Sequence, residues 1–157
     1  STQSRSSAAS DVYKRQLQKV YISFAPERNI HPGDIVIFYR NGVPGNAGYT
    51  AVLTSVAIVE EATSDFRSKE EYMRQVQNRS VFTNDELEQF WQKYRGNQIV
   101  LKFIFVKSLI KRPILKFLWD TDIIAFPSGP RPFTRITDEQ FNMILNEAQT
   151  DLNRYWR

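Results

Sequence analysis

The chain has 157 residues, of which 41% are hydrophobic and 13% aromatic, and this composition favours one globular domain with a sizeable core. It has no cysteine and no run of about 18 apolar residues, which excludes disulfides, thiolate metal sites and a membrane-spanning helix. The net charge of +4 permits a polyanionic partner without requiring one, and the lack of cysteine suits a cytoplasmic location.

Residues 1–16 are rich in serine, polar and aperiodic, a pattern that predicts a disordered tail. Residues 11–16 look like a translated sequencing adaptor, so we treat residues 1–16 as non-native. The tail carries three cations and one anion, a charge of +2, which leaves +2 of the total +4 for the rest. We expect a single domain over residues 17–157. This domain can be truncated at its N-terminus, so that a strand or a whole domain upstream of it is missing.

The first predicted elements are two strands joined through a tight turn. A strand at residues 20–24 precedes Pro32-Gly33-Asp34, where Pro fixes φ, Gly tolerates positive φ, and the Asp carboxylate can bind turn amides. The next strand, residues 35–40, is almost wholly apolar, which predicts a central position or the lining of a barrel. It leads into a glycine-rich loop, residues 41–48, that is either flexible or dense in turns.

The later elements alternate helices and strands. Long apolar runs predict strands at residues 50–60 and, in a central position, 99–106. Capping boxes of Ser68 with Glu71 and of Thr83 with Glu86 predict two helices between them. Pro113 is expected at the first position of a short helix over residues 114–119. A short strand at 123–126 and a last helix from Thr137 to about 153 should follow.

The turn and its strand, Ile30-His-Pro-Gly-Asp-Ile-Val-Ile-Phe-Tyr-Arg40, resemble the PUA-like superfamily, which includes the ASCH and EVE domains. Residues 20–23, 50–60, 79–83 and 99–106 resemble neighbouring pieces of such domains. The nearest resemblance is to the PUA-like domain at the C-terminus of some GNAT acetyltransferase-type proteins, and it covers roughly residues 18–145. It implies an α+β fold, a mixed β-barrel of five to six strands flanked by three to four helices, that binds RNA or a nucleobase.

Residues that would carry catalysis are sparse. His31 is the only histidine, so a histidine triad or histidine metal cage has no partners, and no phosphate-loop or dinucleotide-binding motif is present. We therefore expect no metal and no other cofactor. A hydrolase acting on small nucleosides or amides, as suspected for some ASCH-like domains, stays an alternative, because a Lys/Thr/Glu site has no recognisable motif.

Aromatic rings and polar side chains predict a binding pocket beside the glycine-rich loop, since a nucleobase needs a stacking face and hydrogen bonds to its edge. The candidates are Tyr39, Arg40, Tyr49, Thr54, Arg79, Ser80, Phe82 and Trp91. For several of them a structural role is the alternative. Trp91 shares a helical stripe with Leu87 and Tyr94, which is typical of a core, and Arg40 can form a salt bridge instead.

A basic stretch begins within the last long predicted strand and continues beyond it. Over fifteen residues it carries five cations and no acid, namely Lys102, Lys107, Lys111, Arg112 and Lys116. Such a stretch can contact a phosphate backbone, or it can be a solvated surface.

The sequence thus predicts non-catalytic binding of RNA, or of a modified base in nucleic acid. The expected partners are RNA or modified nucleic acid and a fused or associated acetyltransferase-type domain. The main alternative is an accessory domain that recognises a protein or regulates an attached enzyme.

Overall fold

A computed structural model describes residues 18–24, 29–77, 80–94, 98–131 and 133–153. Within these ranges the chain is α+β, with four strands and five helices. The elements are β1 (Gln18–Ser23), β2 (Ile35–Arg40), α1 (Ala47–Thr50), β3 (Val52–Thr63), α2 (Lys69–Val76), α3 (Asn84–Tyr94), β4 (Ile99–Ser108), α4 (Leu115–Asp120) and α5 (Asp138–Glu147). The predictions for residues 1–16 and for Arg79 lie outside the described residues.

The four strands form one antiparallel sheet in the order β1-β4-β3-β2, with Tyr21 of β1 opposite Leu101 of β4. The central position predicted for β4 is confirmed. The central position predicted for β2 is wrong, because β2 has one neighbour among the described strands and Ile35 is 44% exposed. Its apolar run instead covers a core on one side through Ile37 and Tyr39. The barrel of five to six strands stays a prediction.

The turn before β2 has the predicted geometry. Gly33 has φ of +92°, in the left-handed region that favours glycine. The His31 amide donates to the Asp34 carboxylate over 2.8 Å, and the Gly33 amide donates to the Val59 carbonyl over 2.8 Å. The turn therefore fixes the first residue of β2 and its register with β3.

The chain divides into two compact units, each with its own buried cluster. Among the described residues, unit 1 consists of those between 18 and 35 and between 58 and 105, and unit 2 of those between 36 and 57 and between 106 and 153. In unit 1, Tyr72 and Val76 of α2 and Leu87 of α3 pack with strand residues. Both helices begin where predicted, because the Ser68 and Thr83 hydroxyls each accept an amide three residues on, from Glu71 and Glu86, at 3.2 Å.

The cluster of unit 2 is larger and collects residues from β3, α4 and α5. Its fully buried members include Ala51, Val56 and Ala148. Helix α5 starts with the predicted capping box of Thr137 and Gln140. It ends at Glu147 and not near residue 153, because Gln149 takes the left-handed conformation, at φ of +54°.

Two smaller predictions in unit 2 are wrong. Residues 123–126 form turns and not a strand, since Asp122 at φ of +59° reverses the chain and Ile123 and Ile124 enter the core. Pro113 lies one residue before the cap of α4, Ile114, and so is outside the helix.

Candidate functional site

The predicted ligand-binding residues divide between the two units. Tyr39, Arg40, Tyr49 and Thr54 belong to unit 2, whereas Ser80, Phe82 and Trp91 belong to unit 1. Each group is described in its own unit.

In unit 1 the candidate rings are used in packing. Trp91 stacks on the buried Tyr72 at 5.4 Å between ring centroids, and Phe82 meets Phe90 edge-on at 4.9 Å. The Ser80 hydroxyl accepts the Phe82 amide over 3.3 Å. These contacts favour the structural alternative for all three, because their rings and hydroxyl already have partners inside the unit.

In unit 2 the glycine-rich loop is dense in turns and held by one side chain. The Thr50 hydroxyl accepts the Val43 amide over 2.8 Å and donates to the Asn46 carbonyl over 2.7 Å. A methyl group at Gly42 would overlap the Thr50 hydroxyl and the Ala51 amide, so glycine is required for this closure. Residues 47–50 form α1, which places Tyr49 on a helical turn and not at the start of β3.

Helix α1 packs against α4 through a glycine and a tryptophan. A methyl group at Gly48 would lie 2.8 Å from the Trp119 ring, so the absence of a side chain lets the ring reach the backbone. The indole Nε1 donates to the Ser128 carbonyl over 2.7 Å, and the Phe126 ring stands edge-on to Trp119 at 4.9 Å. Trp119 is therefore fixed from several sides.

Two rings of this region face solvent: Phe126, which contacts Trp119, and Tyr49, which follows Gly48 in α1. Phe126 is 73% exposed and Tyr49 is 63% exposed. We name Tyr49, Trp119 and Phe126 the aromatic patch. Sequence reasoning found Tyr49 but missed the other two, although Phe126 has one available signal: it directly precedes a loop rich in proline and glycine, where a ring is seldom needed for a core.

Tyr39 and Arg40 leave β2 on opposite faces, because successive side chains of a strand alternate. Tyr39 packs against the core of unit 2, and burial raises the pKa of its hydroxyl. Arg40 is exposed, and among the described residues no carboxylate pairs with it. The Thr54 hydroxyl donates to the Phe38 carbonyl over 3.4 Å and shares a hydrogen bond with Ser55, so it belongs to the sheet.

Three cations of the basic stretch are paired with acids that lie elsewhere in the chain or one helical turn away. Lys102 contacts Glu61 at 3.1 Å, Lys111 contacts Glu147 at 3.1 Å, and Lys116 contacts Asp120 at 2.6 Å. The hydrogen bond that Lys116 donates to Asp120 is the main cause that raises the pKa of Lys116, and this lysine lies on α4 one turn before Trp119 of the aromatic patch. Within the described ranges, Lys107 and Arg112 have no such acid partner.

A depression of about 380 Å³ lies in unit 1 beside α2 and contains none of the predicted site residues. Its lining consists of Arg67, Ser68, Glu71, Arg74 and Gln75. Across the described residues, no group of three histidine or acidic side chains could hold a metal ion. None of the five helices given above has the length and apolar character needed to cross a membrane.

No known protein family, no curated protein and no solved structure matches this chain. The PUA-like resemblance therefore stays a prediction that rests on the short motifs around Pro32-Gly33-Asp34.

Proposed function

We propose that unit 2 binds RNA, or a modified nucleobase within nucleic acid, at the aromatic patch beside the glycine-rich loop. The observation that carries this proposal is the exposure of two rings: Phe126, which contacts a tryptophan that is fixed in place, and Tyr49, whose preceding residue, Gly48, packs against the same tryptophan. Unstacked bases bind such rings because every base has an aromatic face, and each stacked base contributes roughly 1–3 kcal/mol.

The charge near the patch is compatible with a phosphate backbone. Lys116 lies on α4 one turn before Trp119, and Lys107 and Arg112 belong to the same unit. The support comes from the patch more than from the basic stretch as a whole, since several of its lysines already have acid partners. The candidates of unit 1 are left out of the proposed site because of their packing contacts.

The proposal has three further parts, which rest on the sequence and not on the structure described above. They are a PUA-like barrel of five to six strands, a cytoplasmic location, and a fused or associated acetyltransferase-type domain. Their support is the Pro-Gly-Asp turn feeding an apolar strand, the resemblance it carries, and the absence of cysteine.

Titration of fluorescent single-stranded RNA by anisotropy at low salt tests the proposal. Phe126→Ala and Tyr49→Ala should each weaken binding by about 5- to 150-fold, which corresponds to the loss of one stacked base. Tyr21→Ala is the matched control, because Tyr21 is a partly exposed ring in unit 1. Melting temperatures of all variants show whether each has kept its fold.

Two outcomes would overturn the proposal. If Phe126→Ala and Tyr49→Ala bind as tightly as the parent chain, the patch is not the site. If the parent chain binds no RNA or modified-base oligonucleotide at low salt, the protein-recognition alternative gains, and capture by a purified acetyltransferase-type partner becomes the next measurement.

A further inference from the structure

Tyr39 has a fixed ring and a free hydroxyl. The ring packs with Ile37 against the buried cluster of unit 2, which determines where the hydroxyl lies. Among the described residues this hydroxyl has no hydrogen-bond partner, and it is not one of the side-chain oxygens sealed from solvent, as the Tyr72 hydroxyl is. A hydroxyl that is held in position and unused can serve a ligand.

The hydroxyl lies next to the segment that supports the aromatic patch. A methyl group at Gly129 would stand 3.5 Å from the Tyr39 oxygen. The preceding residue, Ser128, accepts the Trp119 indole through its carbonyl. The absence of a side chain at Gly129 therefore leaves the hydroxyl open to approach from the side of the patch.

The chemical state of the hydroxyl suits recognition of a base edge. A tyrosine hydroxyl is neutral at physiological pH, and burial raises the pKa of Tyr39 further, so the group is an O–H that can both donate and accept. Stacking on rings tolerates any base, whereas hydrogen bonds to the base edge distinguish one base from another.

We propose that the Tyr39 hydroxyl hydrogen-bonds to the edge of the base that stacks on the aromatic patch, and thereby gives unit 2 a preference among bases in single-stranded RNA. This inference rests on the proposed function, because it needs a stacked base. It assigns to Tyr39 the selectivity and to Tyr49 and Phe126 the affinity.

The test uses uridine decamers that carry one central A, C, G or U, titrated against the full chain by anisotropy. The affinity of the parent chain should differ among the four decamers. Tyr39→Phe should reduce the ratio of the highest to the lowest affinity by about three- to tenfold, the size of one lost neutral hydrogen bond. Affinity for the worst decamer should stay unchanged, because the ring is retained.

A second variant keeps the hydroxyl and blocks its approach. Gly129→Ala adds a methyl group at ordinary contact distance from the Tyr39 oxygen, without a left-handed backbone to strain, and should narrow the same ratio. Tyr94→Phe is the control, since it removes a hydroxyl from unit 1.

The outcomes separate this inference from the function on which it rests. A parent chain that binds none of the decamers overturns both. A parent chain that binds all four equally, or a Tyr39→Phe variant that keeps the parent ratio, overturns the role of Tyr39 and leaves the binding function standing.

Discussion

Tyr72 of α2 is a buried ring that also carries a polar atom. The side chain is fully buried between α2, α3 and the strands of unit 1, and among the described residues its hydroxyl has no hydrogen-bond partner. Desolvation raises the pKa of Tyr72 to about 12 from the ordinary value of 10. The ring stabilises the core, whereas the hydroxyl costs the free energy of a group removed from water without compensation.

Tyr72→Phe should therefore raise the free energy of unfolding by about 1 kcal/mol at pH 8, since it removes an unsatisfied donor and keeps the ring. In the parent chain Tyr72 ionises near pH 10 when unfolded but only near pH 12 when folded, so this titration leaves the free energy of unfolding unchanged below pH 10 and lowers it as the pH rises from 10 toward 12. The variant should lack this part of the alkaline loss. Urea denaturation between pH 8 and 11 measures both effects.

The control for this prediction is Tyr49→Phe, which removes a hydroxyl from an exposed ring and should change stability by less than about 0.5 kcal/mol. A Tyr72→Phe variant that is less stable than the parent chain at pH 8 would show that the buried hydroxyl has a partner, such as an ordered water.

At the scale of elements, the features that depend on neighbours in sequence are the ones that could be predicted. The bounds of β2, the positive φ of Gly33 and the caps of α2, α3 and α5 are confirmed, because each depends on residues within one turn.

The features that depend on distant contacts could not be predicted. The edge position of β2 depends on which strands pair with β3. The order of the glycine-rich loop depends on the Thr50 hydroxyl, and the turns at residues 123–126 depend on burial of Ile123 and Ile124. For the same reason the sequence indicated Tyr49 as a candidate but not Trp119 and Phe126, the other two residues of the aromatic patch.

The contact of α1 with α4 gives a prediction at this scale. Gly48→Ala should destabilise the chain by about 1–3 kcal/mol, because its methyl group would lie 2.8 Å from a ring that cannot retreat without breaking the indole bond to Ser128. Thermal denaturation and tryptophan fluorescence should change together. Gly129→Ala is the control, since its methyl group has room and should leave both signals close to those of the parent chain.

A Gly48→Ala variant with the parent melting temperature and emission would contradict the fixed position of Trp119. It would also weaken the proposed site, because the aromatic patch depends on that ring being held.

For the whole molecule, the fold pairs lysines of the basic stretch with acids that are distant in the sequence. The basic stretch has no acid of its own over residues 102–116, yet the fold brings Glu61 to Lys102 and Glu147 to Lys111. Each acid offsets the positive charge of its lysine, so a nearby phosphate encounters less charge than the sequence suggests. The cations that keep their full charge within the described ranges of unit 2 include Lys107 and Arg112.

This arrangement predicts which changes alter the salt dependence of RNA binding. Lys107→Ala and Arg112→Ala should each lower the slope of log affinity against log salt by about 0.7, the value for one phosphate of a single strand, and should weaken all sequences alike. Glu147→Gln should act in the opposite direction, because it releases Lys111 from its ion pair and adds one available cation.

Lys93→Ala is the control, since this exposed lysine lies over the Tyr94 ring in unit 1. Titrations at 50 and 200 mM salt (about the range over which such slopes are clear) measure all four variants. Two results would contradict this prediction: Glu147→Gln weakens binding, or Lys93→Ala lowers the slope as much as Lys107→Ala does. The RNA phosphates would then not bind at the unpaired cations of unit 2, and the attraction would depend on the net charge of the chain alone.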